Sequence, residues 1–225
     1  MGANRTIALI PWYQFFNSLL FWQAVWFLYF QANLSGAEAI ILYSVYDISV
    51  TLLEVPSGYF SDRIGRRFTL LLSTICSVVG CLVLALGGTF ALFAFGQALI
   101  GAGSAFKSGT DSSLLFESLE AAGRADEVEV QEIRAWRFSL AGFALSALLG
   151  GAMSMWWASL PFLATALSFA LAAILVLAMF EPPRKAQEAL RGQLATLKTA
   201  LLHPVLAWLF SLSVLMYGFS HLPVV

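Results

Sequence analysis

Long apolar segments constrain this chain more than any other feature of its sequence. Each has about the 20 residues that an α-helix needs to cross the hydrocarbon core of a bilayer. Backbone groups in lipid must be paired within their own segment, and none of these segments alternates as a barrel strand does. We therefore predict seven membrane-spanning helices, at residues 7–30, 38–60, 68–88, 90–119, 135–156, 159–180 and 204–225.

The composition agrees with lipid as the solvent. Hydrophobic residues make up 60% of the chain and charged residues 11%, whereas a soluble domain carries about 25% charged residues. Such a chain has too little polar surface to face water. The net charge of -1 gives no basis for nucleic-acid binding. Cys76 and Cys81 both fall in the third segment, where we expect them to pack as small apolar side chains.

Basic residues indicate which loops face the cytoplasm. Every lysine and arginine except Lys107 lies before the first segment or in and beside the even-numbered connections, and the odd-numbered connections contain none. Cytoplasmic loops carry the excess of lysine and arginine. We predict a multi-pass protein whose amino terminus and even-numbered loops are cytoplasmic.

A charge-dense turn joins the second and third segments. Residues 58–67 read G-Y-F-S-D-R-I-G-R-R. The pattern G-x-x-x-D-x-x-G-R-R between two apolar segments resembles the signature loop of the major facilitator superfamily of transporters. The resemblance implies a twelve-helix fold built from two halves of six helices, each half made of two three-helix repeats. This chain would be an all-α membrane protein that supplies the amino-terminal half and the start of the second.

The resemblance implies three parts for the chain. Residues 1–181 would form the amino-terminal six-helix bundle, residues 182–203 a cytoplasmic amphipathic linker, and residues 204–225 the first helix of a truncated carboxy-terminal bundle. We expect either a fragment of a longer protein or a half-transporter that pairs with another subunit.

A leucine stripe supports the linker helix independently. Leucines recur at helical spacing through the sixth connection and would form one apolar face, which favours a helix lying in the cytoplasmic membrane interface. These leucines are Leu190, Leu194, Leu197 and Leu201.

The resemblance also implies that the signature loop is a cytoplasmic gate. Gly58 would let the second segment approach a helix of the other half, and Gly65 would permit the tight turn. Asp62 would lie near the amino end of the third helix, whose dipole favours a negative charge, and would bridge to the opposite half in one conformation.

The arginines of this loop have two possible roles. Arg66 and Arg67 would pair with acids at the inner rim, for which Glu117 is a candidate, or with lipid phosphate. The alternative is that the arginines only set the topology, although topology alone requires neither the aspartate nor the glycines.

Other family patterns are kept in part. The family often carries R-x-x-x-G-x-G in the fourth helix, with an arginine implicated in proton coupling, and this chain has Gln97 in that position. Many family exporters carry G-x-x-x-G-P-x-x-G-G in the fifth helix, and residues 142–151 keep only the outer glycines. Residues 54–58, 106–110 and 114–119 resemble a prokaryotic subgroup of unassigned transporters and drug exporters. The expected location is therefore a prokaryotic inner membrane.

Polar and ionisable residues inside the apolar segments are candidates for a substrate or cation path, because such groups are costly in a bilayer. A rise of about 1.5 Å per residue places Asn17, Asp47 and Ser104 near the midplane and Glu54 and Lys107 nearer the inner surface. The candidate path residues are Gln14, Asn17, Asp47, Thr51, Glu54, Gln97, Ser104, Lys107 and Asp111.

Two interpretations of the intramembrane charges stay open. Glu54, Lys107 and Asp111 either form an ion-pair cluster that holds the second and fourth segments together, or belong to the path. Asp47 has no cation at its depth in this chain, so its partner would be a proton, a substrate cation or a base in the other half. The third and sixth segments carry no ionisable residue, and we expect them to face lipid.

We predict a secondary active transporter of small molecules that works by alternating access, with drug or metabolite efflux as one form and a proton or another ion as coupling partner. The alternative is a non-transporting membrane assembly or receptor protein. We do not expect an enzyme, because His203 and His221 stand alone and no HExxH or GxSxG pattern occurs. The expected partners are the substrate, the bilayer and the other half. We expect no cofactor, metal site or nucleic-acid partner.

Overall fold

The computed structural model of this protein describes residues 2–183 and single positions between 204 and 215. Residues 1–183 and 184–225 form two separate units. Residues 2–183 contain helices and turns only. The helices are α1 (Gly2–Asn17), α2 (Trp26–Gln31), α3 (Gly36–Ile64), α4 (Arg66–Leu86), α5 (Phe90–Lys107), α6 (Thr110–Ala121), α7 (Val128–Trp156) and α8 (Leu160–Ala178), with 3₁₀ turns at Phe21–Ala24 and Ala125–Glu127.

In the second unit, the described positions are helical: Pro204, Leu206, Trp208, Ser211, Leu212 and Leu215. They belong to the predicted seventh segment, whose other residues lie outside the described ones. The predicted linker, apart from Pro182 and Pro183, also lies outside them.

Five helices of the first unit are long and apolar enough to cross a membrane. They are Gly36–Ile64, Arg66–Leu86, Phe90–Ala121, Ala125–Trp156 and Leu160–Ala178. These are the second to sixth predicted segments, with ends shifted by a few residues. The second begins earlier than predicted because Ser35 caps it: its hydroxyl accepts from the Glu38 amide, and Glu38 accepts from the Ser35 amide.

The prediction of one continuous helix over residues 7–30 is wrong. Helix α1 ends at Asn17, and a 3₁₀ turn separates it from the short α2. Side chains of α8 bind the backbone groups at this break. Ser168 Oγ donates to the Phe16 carbonyl over 2.6 Å, and the Phe21 amide donates to Thr165 Oγ1 over 3.0 Å. A helix interruption at membrane depth is tolerated where protein groups replace the lost bonds.

The fourth span, Phe90–Ala121, agrees with the predicted segment to within a few residues, but its helix is interrupted at residues 108 and 109. Helix α5 ends at Lys107 and α6 begins at Thr110. Gly109 between them has φ +70°, a left-handed conformation that glycine adopts without steric cost. The kink changes the direction of the segment immediately after its only lysine.

The third and sixth segments, expected to face lipid, each bury one face in the bundle. Leu70 and Leu84 of α4 and Phe162 of α8 have no accessible surface, whereas Leu86 and Leu167 on the same helices are exposed. Hydrophobicity without charge therefore did not distinguish a lipid-facing helix from a helix that packs on its neighbours. These two helices supply much of the core.

The most open surfaces of this unit belong to α3 and α7. Val55 of α3 is 82% exposed and Leu148 of α7 is 79% exposed. Both helices nevertheless pack closely on the unit along one stripe. A Cβ at Gly101 of α5 would lie 2.7 Å from the Tyr46 carbonyl of α3, and one at Gly150 of α7 would collide with the Phe21 carbonyl. Within residues 2–183, each helix thus presents a second apolar face that no other described helix covers.

Candidate functional site

A cavity of about 260 Å³ lies beside the break that follows α1; we call it the Lys107 cavity. It combines aromatic and aliphatic walls with amide, hydroxyl and ammonium groups. Its lining residues are Asn17, Ser18, Leu20, Trp22, Gln23, Tyr43, Tyr46, Ser73, Ser77, Gln97, Ile100, Gly103, Ser104, Lys107 and Phe169. Four of the predicted path residues are among them: Asn17, Gln97, Ser104 and Lys107.

Most hydroxyl groups of the cavity bind the protein itself. Ser73 Oγ donates to the Gly103 carbonyl over 2.6 Å, and Ser77 Oγ donates to the Ser73 carbonyl over 3.0 Å. The hydroxyl of Tyr46 donates to Ser104 Oγ over 3.3 Å. The first bond joins α4 to α5, the second lies within α4, and the third joins α3 to α5. The hydroxyl protons of Ser73, Ser77 and Tyr46 are therefore engaged within the protein.

Apart from Lys107, four polar side chains of the lining form no hydrogen bond within residues 2–183: Asn17, Trp22, Gln23 and Gln97. Asn17 and Gln97 are 8% and 2% exposed, and Gln23 is exposed. The indole Nε1 of Trp22 is buried and also lacks a partner there. A buried polar atom without a partner costs about 1–3 kcal/mol, so native proteins normally provide one. These atoms are the natural contacts for a ligand or for water.

Lys107 gives the cavity its only charge among the lining residues. Its Nζ lies 3.9 Å from Oδ2 of Asp111 in the first turn of α6, which is too long for a hydrogen bond. Asp111 is held by other groups instead. Its Oδ2 accepts from Gln14 Nε2 over 2.7 Å, and its Oδ1 accepts from the Ser112 amide over 2.9 Å. Neither Gln14 nor Asp111 lines the cavity: Asp111 pairs with Lys107, and Gln14 binds Asp111.

The predicted path residues of α3 lie elsewhere. Asp47, Thr51 and Glu54 do not line the cavity. Asp47 is half-buried and forms no hydrogen bond or ion pair with the described residues, and Thr51 is exposed. Glu54 Oε1 accepts from Ser108 Oγ over 3.4 Å and forms no ion pair with Lys107 in the described part of the chain. Of the suggested Glu54–Lys107–Asp111 cluster, the described residues therefore show only the Lys107–Asp111 ion pair.

Sequence reasoning did not include Trp22, Tyr46, Ser73 or Ser77 among the path residues. Ser73 and Ser77 stand one helical turn apart in an otherwise apolar segment, a spacing that places them on one face and could have marked it. Trp22 gave no comparable signal, because its position depends on the break after α1.

A second polar group, which we call the Arg66 cluster, lies at the turn between α3 and α4. It consists of Ser61, Asp62, Arg66, Glu117 and Glu181. Arg66 Nη1 lies 2.6 Å from Asp62 Oδ1 and 3.0 Å from Ser61 Oγ, and Arg66 Nε lies 3.1 Å from Glu117 Oε1. The Arg66 amide donates to Glu181 Oε1. One guanidinium thus joins α3 to α6, including the Glu117 carboxylate that the sequence suggested as its partner.

The remaining residues of the signature loop differ from one another in their surroundings. Gly65 has φ +126°, which only glycine adopts readily, so the tight turn requires it. Arg67 donates to the carbonyls of Val176 and Leu177 at the end of α8, and within residues 2–183 it pairs with no acid. A Cβ at Gly58 would meet nothing within 4 Å, so no described helix approaches it.

Helix α6 links the two groups of residues. Near its start, Asp111 contacts Lys107 at the cavity, and Thr110 donates to Ser61 of the Arg66 cluster over 3.1 Å. Glu117, further along, binds Arg66. A displacement of α6 would therefore change the surroundings of Lys107 and Arg66 together.

Comparison with known proteins gives concordant results. The family model described as Major Facilitator Superfamily matches residues 7–225. The POT family transporter PepTSo is similar in structure, with a TM-score of 0.75 and 18% identity over 88% of this chain and 42% of that chain. A mutant of the peptide transporter POT in complex with alafosfalin gives a TM-score of 0.63 and 18% identity over 93% of this chain and 46% of that one. No curated protein matches the sequence.

This likeness concerns the fold, and the chain spans less than half the length of either solved structure. The predicted all-helical membrane fold is confirmed.

Proposed function

This chain belongs to the major facilitator superfamily, and on that premise we propose that it is the amino-terminal half of a secondary active transporter of small molecules. The Lys107 cavity carries the proposal, because it combines an interrupted helix with unpartnered polar atoms inside the bundle. Transporters typically bind substrate near the midplane at discontinuous helices. The substrate would enter this cavity and be exposed alternately to either side of the membrane.

A second six-helix half is the partner that this proposal requires. The uncovered apolar faces of α3 and α7, represented by Val55 and Leu148, would pack against it. The open space at Gly58 supports the same arrangement, since a helix of the other half could approach there without a steric clash. The matched solved structures are more than twice as long as the part this chain covers.

The Arg66 cluster would be a cytoplasmic latch. Basic residues are confined to the amino terminus and the even-numbered connections, apart from Lys107, which favours a cytoplasmic position for this end in a prokaryotic inner membrane. The ion pairs of Arg66 with Asp62 and Glu117 would hold α3 and α6 together in one conformation and would exchange partners with the other half in the next.

Asp47 is the proposed site of ion coupling. It is half-buried on α3 and forms no hydrogen bond or ion pair with the described residues. A proton or a basic residue of the second half would therefore neutralise its charge within the membrane. Flux of a transported compound into proteoliposomes under an imposed pH gradient tests this role. Asp47→Asn should abolish the dependence on the gradient, and unchanged dependence would remove Asp47 from coupling.

Accessibility to labelling tests alternating access itself. In the full-length protein with Cys76→Ser and Cys81→Ser, single cysteines at Asn17 and Ser104 should react with a membrane-impermeant maleimide applied from either side. A cysteine at Ala158, in the exposed turn between α7 and α8, should react from one side only. If the cysteines introduced at Asn17 and Ser104 react from one side only, and no flux is measurable, a non-transporting assembly or receptor protein is favoured.

A further inference from the structure

We propose that the Lys107 cavity selects small organic carboxylates, that is, monoanions with an apolar body. This assignment rests on the proposed function, because it takes the cavity as the substrate site. It follows from three properties of the lining: its charge, its inventory of unpartnered donors and acceptors, and its apolar walls.

The charge of the lining favours an anion. Among the described residues, Lys107 is the only charged one that lines the cavity, and the lining contains no carboxylate. An ammonium ligand would therefore meet a like charge with no lining acid to compensate it, whereas a carboxylate would meet an opposite charge. Because the surroundings are largely apolar, this attraction is screened less than at a surface.

Asp111 does not neutralise Lys107 fully. Its Oδ2 is bonded to Gln14, its Oδ1 is bonded to the Ser112 amide, and it lies in the first turn of α6, where the helix dipole stabilises a negative charge. The Lys107 ammonium is 3.9 Å away and forms no hydrogen bond within residues 2–183. Its three donors are therefore available to a ligand oxygen.

The hydrogen-bonding inventory points the same way. The groups that form no hydrogen bond within residues 2–183 are the Lys107 ammonium, which is ion-paired with Asp111, the Trp22 indole N–H and the carboxamides of Asn17, Gln23 and Gln97. Each carboxamide both donates and accepts, and the buried unpartnered atom of Gln97 is its acceptor oxygen; the ammonium and the indole only donate, so the set as a whole has an excess of donors. A carboxylate only accepts, and hydrogen bonds to it from a cation are among the strongest in proteins.

The walls define the rest of the ligand. Leu20, Ile100 and Phe169 supply apolar surface, and Trp22 lies stacked on Phe162 with ring planes 10° apart, so its position is fixed. The cavity volume of about 260 Å³ is near the lower limit for ligand pockets, about 300–1,000 Å³. A single aromatic ring or a short alkyl chain carrying one carboxylate fits this description.

Matched ligands test the assignment in the wild-type protein. The probes form two series that vary the charge on a constant carbon skeleton. The aromatic series is 3-phenylpropionate, 3-phenylpropanamide and 3-phenylpropylamine, and the alkyl series is hexanoate, hexanamide and hexylamine. Thermal unfolding of the purified full-length protein in detergent gives apparent affinities. We expect each carboxylate to bind about tenfold or more tightly than its amide, and the amine to bind most weakly. Equal affinities within a series, preference for the amines, or no binding of either carboxylate would overturn the proposal.

Two substitutions locate the preference. Lys107→Gln should reduce the affinity for the carboxylates to that for the amides. Asp111→Asn removes the neighbouring charge but keeps Lys107, and it should maintain or increase the preference. Loss of preference in Asp111→Asn but not in Lys107→Gln would overturn the role of Lys107. The ligand series in the wild-type protein keeps the test valid if either variant fails to fold.

Flux measurements separate this proposal from the proposed function. Carboxylate binding without flux of any probe into proteoliposomes would leave the site assignment intact and overturn the transport function. Flux of amides or amines with no preference for carboxylates would leave the transport function intact and overturn the substrate class.

Discussion

Gln14 of α1 donates a 2.7 Å hydrogen bond to the carboxylate of Asp111 in α6, 97 residues later in the chain. This bond holds Asp111 behind the cavity wall and leaves Lys107 at 3.9 Å from it. The Gln14 carboxamide of α1 therefore competes with Lys107 for Asp111 Oδ2, and this competition leaves the Lys107 ammonium without a hydrogen bond to that carboxylate.

Replacing Gln14 should destabilise the protein and change the cavity. Gln14→Leu leaves Asp111 Oδ2 without its donor, which should lower the free energy of unfolding by about 1–3 kcal/mol. Asp111 should then pair with Lys107 and weaken carboxylate binding. Thermal unfolding with and without 3-phenylpropionate measures both effects. Gln31→Leu, at an exposed position at the end of α2, is the control and should change stability by no more than about 0.5 kcal/mol.

Removing the guanidinium of Arg66 should open the turn between α3 and α4. Arg66→Gln leaves the carboxylates of Asp62 and Glu117 without their cation. We expect a loss of about 1–3 kcal/mol in the free energy of unfolding, since both pairs are only partly exposed, and a loss of transport. Arg66→Lys should be intermediate, because an ammonium cannot form the same forked contact. Arg134→Gln, at an exposed site, is the matched control and should have little effect; equal effects of the two glutamine variants would contradict this account.

The backbone at Gly65 should not tolerate a side chain. Gly65→Ala forces φ +126° on a residue with a Cβ, which costs about 1–3 kcal/mol. The expected result is a lower melting temperature in detergent. If Gly65→Ala has the same melting temperature as the wild-type protein, the turn does not depend on glycine.

Gly58 should behave differently, because its Cβ position is open in the described residues. Gly58→Leu should leave the packing of residues 2–183 intact and reduce transport, since we propose that a helix of the second half approaches there. Flux in proteoliposomes, compared with thermal stability of the same preparation, separates the two effects. Full transport by this variant would mean that no helix approaches Gly58.

The break after α1 should depend on a hydroxyl of α8. Thr165→Val preserves the shape of the side chain but removes the acceptor for the Phe21 amide. An unsatisfied buried amide should cost about 1–3 kcal/mol, measured by unfolding in detergent. Thr51→Val is the control for the same chemical change at an exposed position of α3. Similar losses in both variants would show that the hydroxyl of Thr165 has no special role.

Local signals predicted the parts of the structure that depend on local chemistry. Apolar length predicted the second to sixth membrane helices, and the signature pattern predicted the turn at Gly65 and the pairing of Arg66 with Glu117. It also suggested an acid or a lipid phosphate as partner for Arg67, which within residues 2–183 binds the carbonyls at the end of α8. The sequence could not anticipate those carbonyls, because their exposure depends on where α8 ends beside α4.

The candidate site shows the same division. Asn17, Gln97, Ser104 and Lys107 were predicted from their polarity within apolar segments, and they line one cavity. Asp47 and Glu54 carry the same signal but project from α3 outside that cavity, because depth along a helix does not determine the direction that its residues face.

Segment length, hydrophobicity and the signature pattern are local properties, so they were enough to predict a helical membrane protein of the major facilitator superfamily and to locate the polar residues within its segments. The positions of the helix breaks and the polar groups that remain without a partner depend instead on how the helices pack. The partners that decide these matters, Thr165 and Ser168 for the break and Gln14 for Asp111, come from distant helices and act only when packing brings them within hydrogen-bonding distance.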